Sequence, residues 1–199
     1  MTRRTFFSFH YNNDVQRAWV VKNSQVVKDH DDTGFFDSSA FEKAKNENPE
    51  SLKRFLRKEM TGSSVVSVLI GAETAARRWV RFEIMQAVWD ARGLMGIRIH
   101  SIGDWQGHPS AVGPNPFDLL GVYTKDKKMC LVERSNTDSK WTYTSDFGQD
   151  IIPKWPYTAS LPPEGSTPLS RFFNVHSWSS NAHNEIENWL EAAAKQAGR

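Results

Sequence analysis

The run Val65-Val66-Ser67-Val68-Leu69-Ile70-Gly71 restricts the folds open to this chain more than any other stretch. It does not alternate apolar with polar residues, so both faces of the strand it predicts must be covered. That is the environment of a central strand in a parallel sheet with helices on both sides. Upstream, residues 4–10 are short and aromatic and end on Ser8 and His10, the pattern of a first strand buried on both faces. Residues 14–27 place Val15, Ala18 and Trp19 at roughly helical spacing, and Gly34-Phe35-Phe36-Asp37-Ser38-Ser39 reads as a short second strand.

Asn48-Pro49-Glu50 starts a helix for three local reasons: Asn accepts from free N–H groups, Pro fits the first turn, and Glu complements the helix dipole. Leu52, Phe55, Leu56 and Met60 form its core face and Gly62 its stop. After the central strand a helix is predicted over about 74–92, with Val80, Ile84 and Val88 toward the sheet, and residues 94–100 form a fourth strand ending on His100. Strand and helix therefore alternate, which predicts an α/β fold with a doubly wound, mostly parallel sheet flanked by helices.

Residues 101–116 are rich in Gly, Pro, Asp and Asn and read as a long loop closed by Gly113-Pro114-Asn115-Pro116-Phe117-Asp118. Two short strands around Asn136-Thr137-Asp138 suit a hairpin or an edge addition. An irregular, proline-containing stretch then runs to about 180, before an amphipathic helix through Ile186, Trp189, Leu190 and Ala193. With 199 residues the expectation is a single domain, with a core at about 4–121 and an extension over 122–199.

The 25 basic and 23 acidic residues are mixed along the chain, so no basic stripe marks a nucleic-acid partner. One cysteine, Cys130, excludes an internal disulfide and a cysteine-based metal site, and its apolar neighbours favour a packed thiol over a nucleophile. The apolar stretch near the N-terminus stops at His10, too short for a signal peptide, and no window has the length needed to cross a bilayer. A soluble cytoplasmic protein is the simplest expectation.

In Trp79-Val80-Arg81-Phe82-Glu83, positions 79 and 83 lie nearly above one another on a helix, so an indole and a carboxylate share one strip. In a doubly wound sheet that strip begins at the carboxyl edge, where Ser8, His10, Asp37, Gly71 and His100 would also gather. Taken singly, Trp79 reads as a packing residue and Glu83 as a solvated acid beside Arg77 or Arg81. No His-x-x-x-His or His-Glu-x-x-His pair points to a metal. No phosphate loop, dinucleotide glycine fingerprint or Gly-x-Ser-x-Gly elbow is present.

Phe6-Phe7-Ser8-Phe9-His10, Phe35-Phe36-Asp37, Val68-Leu69-Ile70-Gly71 and Arg77-Arg78-Trp79-Val80-Arg81-Phe82-Glu83, taken with the loop closing at Asp118, resemble a TIR domain. With the long extension, the chain is similar to the TIR-like proteins of bacterial Thoeris anti-phage defence, the ThsB group, over about residues 4–121. The resemblance implies a TIR/flavodoxin-like sheet and an enzyme that cleaves NAD as its substrate, with no separate cofactor or metal. It makes Glu83 the catalytic residue and implies a cyclic ADP-ribose isomer as product, a messenger for a separate effector, ThsA. By position, Phe7 and Trp79 would wall the rings of NAD, while Ser8, His10, Asp37 and Asn115 would offer hydrogen bonds to ribose or phosphate.

A phage protein as trigger and self-association are compatible with this reading; a nucleic-acid or membrane partner is not expected. The alternative is a non-enzymatic TIR-like interaction module in which Glu83 is structural. A receiver-like phospho-switch fits less well, because the run from His10 to Asp14 lacks the clustered acids such a site requires.

Overall fold

The computed structural model describes residues 3–24, 41, 44, 46–135, 139–179 and 181–199. The expected strand at 34–39, with Asp37, and the end of the first predicted helix lie outside the described residues. Strands β1 (Thr5–Ser8), β2 (Val65–Ile70) and β3 (Gly93–Arg98) are joined, far along the chain, by β8 (Val175–Ser177). They form one parallel sheet in the order β1-β2-β3-β8. All six residues of β2 are buried, as its nearly continuous apolar run requires. The architecture is the expected mostly parallel α/β sheet with helices on both faces.

Alternation along the strands sorts side chains between two cores. Phe6, Val66, Val68, Ile70 and Leu94 face helix α2 (Pro49–Met60) and helix α3 (Arg78–Trp89). Phe7, Val65, Leu69, Met95 and Ile97 face helix α1 (Tyr11–Lys22) and the last helix, α4 (Ala182–Gln196). Helix α2 starts as its sequence dictates: Asn48 Oδ1 accepts from the Ser51 N–H at 2.9 Å, with Pro49 in the first turn. The helix predicted over 74–92 is divided: Thr74–Ala76 form a 3-10 turn, and α3 begins only after Arg77, whose extended backbone separates the two.

The C-terminal portion differs most from a simple appendage. Strands β4 (Leu120–Lys125), β5 (Lys128–Arg134), β6 (Trp141–Tyr143) and β7 (Gly165–Pro168) make an antiparallel sheet in the order β6-β5-β4-β7. Beyond it the chain returns to the parallel sheet as β8, pairing Val175 with Gly96 and Ser177 with Arg98, and then as α4, whose Ile186 and Leu190 pack into the α1-side core. Three residues without an apolar run cannot be recognised as a strand, so the segment to about 180 reads as irregular until its pairing is seen. Among the described residues no helix is long and apolar enough to cross a membrane.

Candidate active site

Ser8 ends β1, and the strand's alternation places its side chain on the same face as Phe6, toward α3. Glu83 lies in the second turn of α3, and the Ser8 hydroxyl donates a hydrogen bond to Glu83 Oε2. Ser8 is fully enclosed and Glu83 is 3% exposed, although it is a carboxylic acid in a helix whose neighbours Val80, Ile84 and Ala87 are core. Loss of water is the dominant influence on that acid. Burial pushes its pKa up to about 8, and the Ser8 hydrogen bond opposes the rise without cancelling it.

The other candidates fall at different places around this pair. His10 follows β1, with Nδ1 3.9 Å from Glu73 Oε2, and it is held below its ordinary pKa first by burial and then by the Arg77 cation. Arg77 is itself paired with Glu73, so His10, Glu73 and Arg77 form a polar rim beside the start of α3. Asn115 uses Oδ1 to accept from the Phe117 N–H at 3.1 Å, capping the short turn Pro116–Asp118. His100 lies just beyond β3, its carbonyl accepting from the Ser110 N–H at 2.9 Å.

Two aromatic candidates are engaged in packing. Trp79 meets Phe82 edge-on at 6.1 Å under the Arg78 guanidinium, and Phe82 in turn stacks on Phe147. Phe7 is 1% exposed and belongs to the core on the α1 side, the opposite face of the sheet from Ser8 and Glu83. One residue of strand phase separates Phe7 from Ser8, and the phase of a strand buried on both faces has no signature in composition.

A second buried acid escaped the sequence analysis as a site residue. Asp14, in the first turn of α1, is 1% exposed beside Gly71 at the end of β2, with Thr74 Oγ1 at 3.5 Å and Arg17 Nη1 at 3.9 Å. Burial raises its pKa against the pull of Arg17, Thr74 and Arg77. Arg17 donates onward to the carbonyls of Ile102 and His108, at 2.8 and 3.1 Å, and so fixes the 101–110 loop over this edge. The later part of the same loop is fixed by Arg98, which donates to the Gly113 carbonyl at 2.8 Å. Gly113 approaches Gly71 so closely that a Cβ on it would lie 1.9 Å from the Gly71 carbonyl oxygen.

The carboxyl edge of the parallel sheet thus carries two enclosed carboxylic acids, Glu83 with the Ser8 hydroxyl and Asp14 beside the Thr74 hydroxyl, a rim of His10, Arg77 and Glu73, and a loop fastened across the strand ends. A family model described as "Thoeris protein ThsB, TIR-like domain" matches residues 6–104 of this chain. Over 200 residues the chain is 36% identical to the protein named "Putative cyclic ADP-D-ribose synthase ThsB1" of Bacillus cereus (strain MSX-D12), an alignment that covers 96% of this chain and 100% of that protein.

Proposed function

Because the chain belongs to the Thoeris ThsB family of TIR-like proteins, we propose that it cleaves NAD at the nicotinamide glycosidic bond and closes the product into a cyclic ADP-ribose isomer. The observation that carries this reading is the enclosure of Glu83, an acid placed at a strand edge where burial works against its charge and only a hydroxyl supports it. The name of the Bacillus cereus relative supports the same chemistry.

The bond from ribose C1 to the pyridinium nitrogen breaks with its electron pair going to nitrogen, so nicotinamide leaves neutral and no general acid is needed. The positive charge then develops on C1 and its ring oxygen. A carboxylate in a water-poor site stabilises that charge far better than one in bulk water. Near neutral pH the enclosed Glu83 is largely protonated, but the incoming substrate brings its own cation: a pyridinium set beside the acid favours loss of the proton. A hydroxyl of the adenine-side ribose then forms the new bond to C1 and passes its proton to the Glu83 carboxylate, and the high effective concentration of a tethered nucleophile favours ring closure over hydrolysis.

In this reading the messenger acts on the separate effector ThsA, and a phage component releases the activity. On this proposal Trp79 would wall the rings of NAD, and His10, Asn115 and Asp37, the last outside the described residues, would offer hydrogen bonds to its ribose or phosphate.

The test is nicotinamide release from NAD by the wild type and by Glu83→Gln, in purified protein and in phage-infected cells, with mass spectrometry of the nucleotide product. Release that depends on Glu83 and yields a cyclic product is expected. Equal release by the Gln variant would sink the mechanism, and phage protection that survives Glu83→Gln would favour the interaction-module reading.

A further inference from the structure

Ser8 has a use that differs from touching substrate. Its backbone is fixed by parallel pairing with Val68, its side chain is completely enclosed, and its hydroxyl is committed to Glu83. We propose that Ser8 is a positioning residue, whose hydroxyl holds the Glu83 carboxyl in a single orientation toward the sheet edge and favours its ionised form during catalysis. The proposal rests on the NAD-cleaving reading above and adds to it the residue on which the state of its acid depends.

The surroundings leave that task to Ser8 alone among the described residues. Just before α3, Arg77 is paired with Glu73; on α3 itself, Arg78 is paired with Asp146 at 3.4 Å and Arg81 with Glu133 at 3.3 Å. From α2, Arg57 donates to Gln86 at 2.9 Å, and from the end of β3, Arg98 donates to the Gly113 carbonyl. His10, beyond β1, lies against Glu73. Lys53 of α2 is paired with Glu50 and Asp146, and Asp14 of α1 lies beside Arg17 and Thr74, so these groups are engaged away from Glu83. A donated hydrogen bond stabilises a carboxylate more than the neutral acid, and the bond is stronger where water is excluded. Removing it should therefore leave an acid that still fits but charges less readily.

The experiment follows kcat/KM for nicotinamide release across about pH 6 to 9 in wild type, Ser8→Ala and Ser8→Thr, with Glu83→Gln as the control. In Ser8→Ala the acidic limb should move up by about one pH unit, so that activity near pH 7 falls about tenfold and recovers as the pH rises. Ser8→Thr, which keeps the hydroxyl, should restore the limb. A Ser8→Ala limb coincident with wild type would overturn the proposal.

A second readout needs no turnover: the pH at which Tm stops falling as the pH rises should be higher in Ser8→Ala than in wild type, and superimposable Tm curves would equally reject the coupling. If the wild type releases no nicotinamide even in infected cells, the NAD-cleaving reading fails instead, and if Glu83→Gln releases it as fast as wild type, the catalytic role of Glu83 fails; in either case the Tm curves still decide whether Ser8 governs Glu83.

Discussion

The carboxylate of Asp14 fills the space in which a side chain on Gly71 would begin: a Cβ there would stand 2.2 Å from Oδ2 and 2.3 Å from Oδ1. The contact joins α1 to the end of β2 and explains why the chain needs a glycine where the central strand turns into the site. Gly71→Ala should destabilise the protein by about 1–3 kcal/mol or more, because the enclosed acid cannot withdraw cheaply. Pairing it with Asp14→Ala should cost less than the sum of the two single changes, a coupling that denaturant midpoints of the four proteins would measure. Simple additivity would show that the clash is relieved elsewhere.

Glu83 should make stability depend on pH with a defined sign. Its pKa is 4.5 before folding and about 8 after, so between those values the folded state holds a proton that the unfolded state has lost. The stabilisation is complete below about pH 4.5 and disappears as the pH rises through about 8, at up to about 1.4 kcal/mol per pH unit. Glu83→Gln, which keeps the shape and can still accept from Ser8, should match the wild type at the acid end and exceed it in Tm at pH 8. Parallel Tm curves across the whole range would show that the acid is not desolvated as the structure has it.

A chain cut after residue 121 would lose β8 and α4, leaving Met95, Ile97 and Leu69 without the apolar cover of Ile186 and Leu190. It should be recovered unfolded or aggregated. In the full chain, Leu190→Ala should cost about 2–5 kcal/mol. A soluble, cooperatively melting 1–121 fragment would contradict this dependence.

Lys53 ties the two halves of the molecule together. Nearly enclosed on α2, its ammonium reaches Glu50 at 2.6 Å and Asp146, beyond β6, at 2.8 Å. Asp146→Ala leaves that cation with its exposed partner only, and a loss of about 1–3 kcal/mol is expected in urea or thermal melts. A loss as small as that of an ordinary surface pair would mean that Glu50 alone suffices.

What the sequence reveals here is what short-range chemistry specifies. The nearly continuous apolar run of β2 and the Asn48-Pro49 start of α2 carry their own instructions, and both elements stand where those instructions put them. The acid at 83 and the serine at 8 were visible as residues of the sheet edge, yet their hydrogen bond depended on strand phase, which decides that Ser8 rather than Phe7 meets α3. Asp14 looked like an ordinary first-turn acid, and only the approach of Gly71 makes it part of the edge. Strand β8 was hidden for the opposite reason: its three residues have no pattern of their own and become a strand only because β3 offers an open edge.

The pairing of β3 with β8 also sets an order of events during synthesis. Chains emerge from the ribosome N-terminus first, at about 5–20 residues per second, and contacts between distant segments must wait for the later one. Here the outer edge of β3 and much of the α1-side core wait for residues 175–196, and Arg3 finds Glu191, 2.7 Å away, only after 187 intervening residues have been made. The sheet that carries Ser8 therefore stays open on one side while residues 9–174 are made, and its edge is finished only once residues 175–196 have followed.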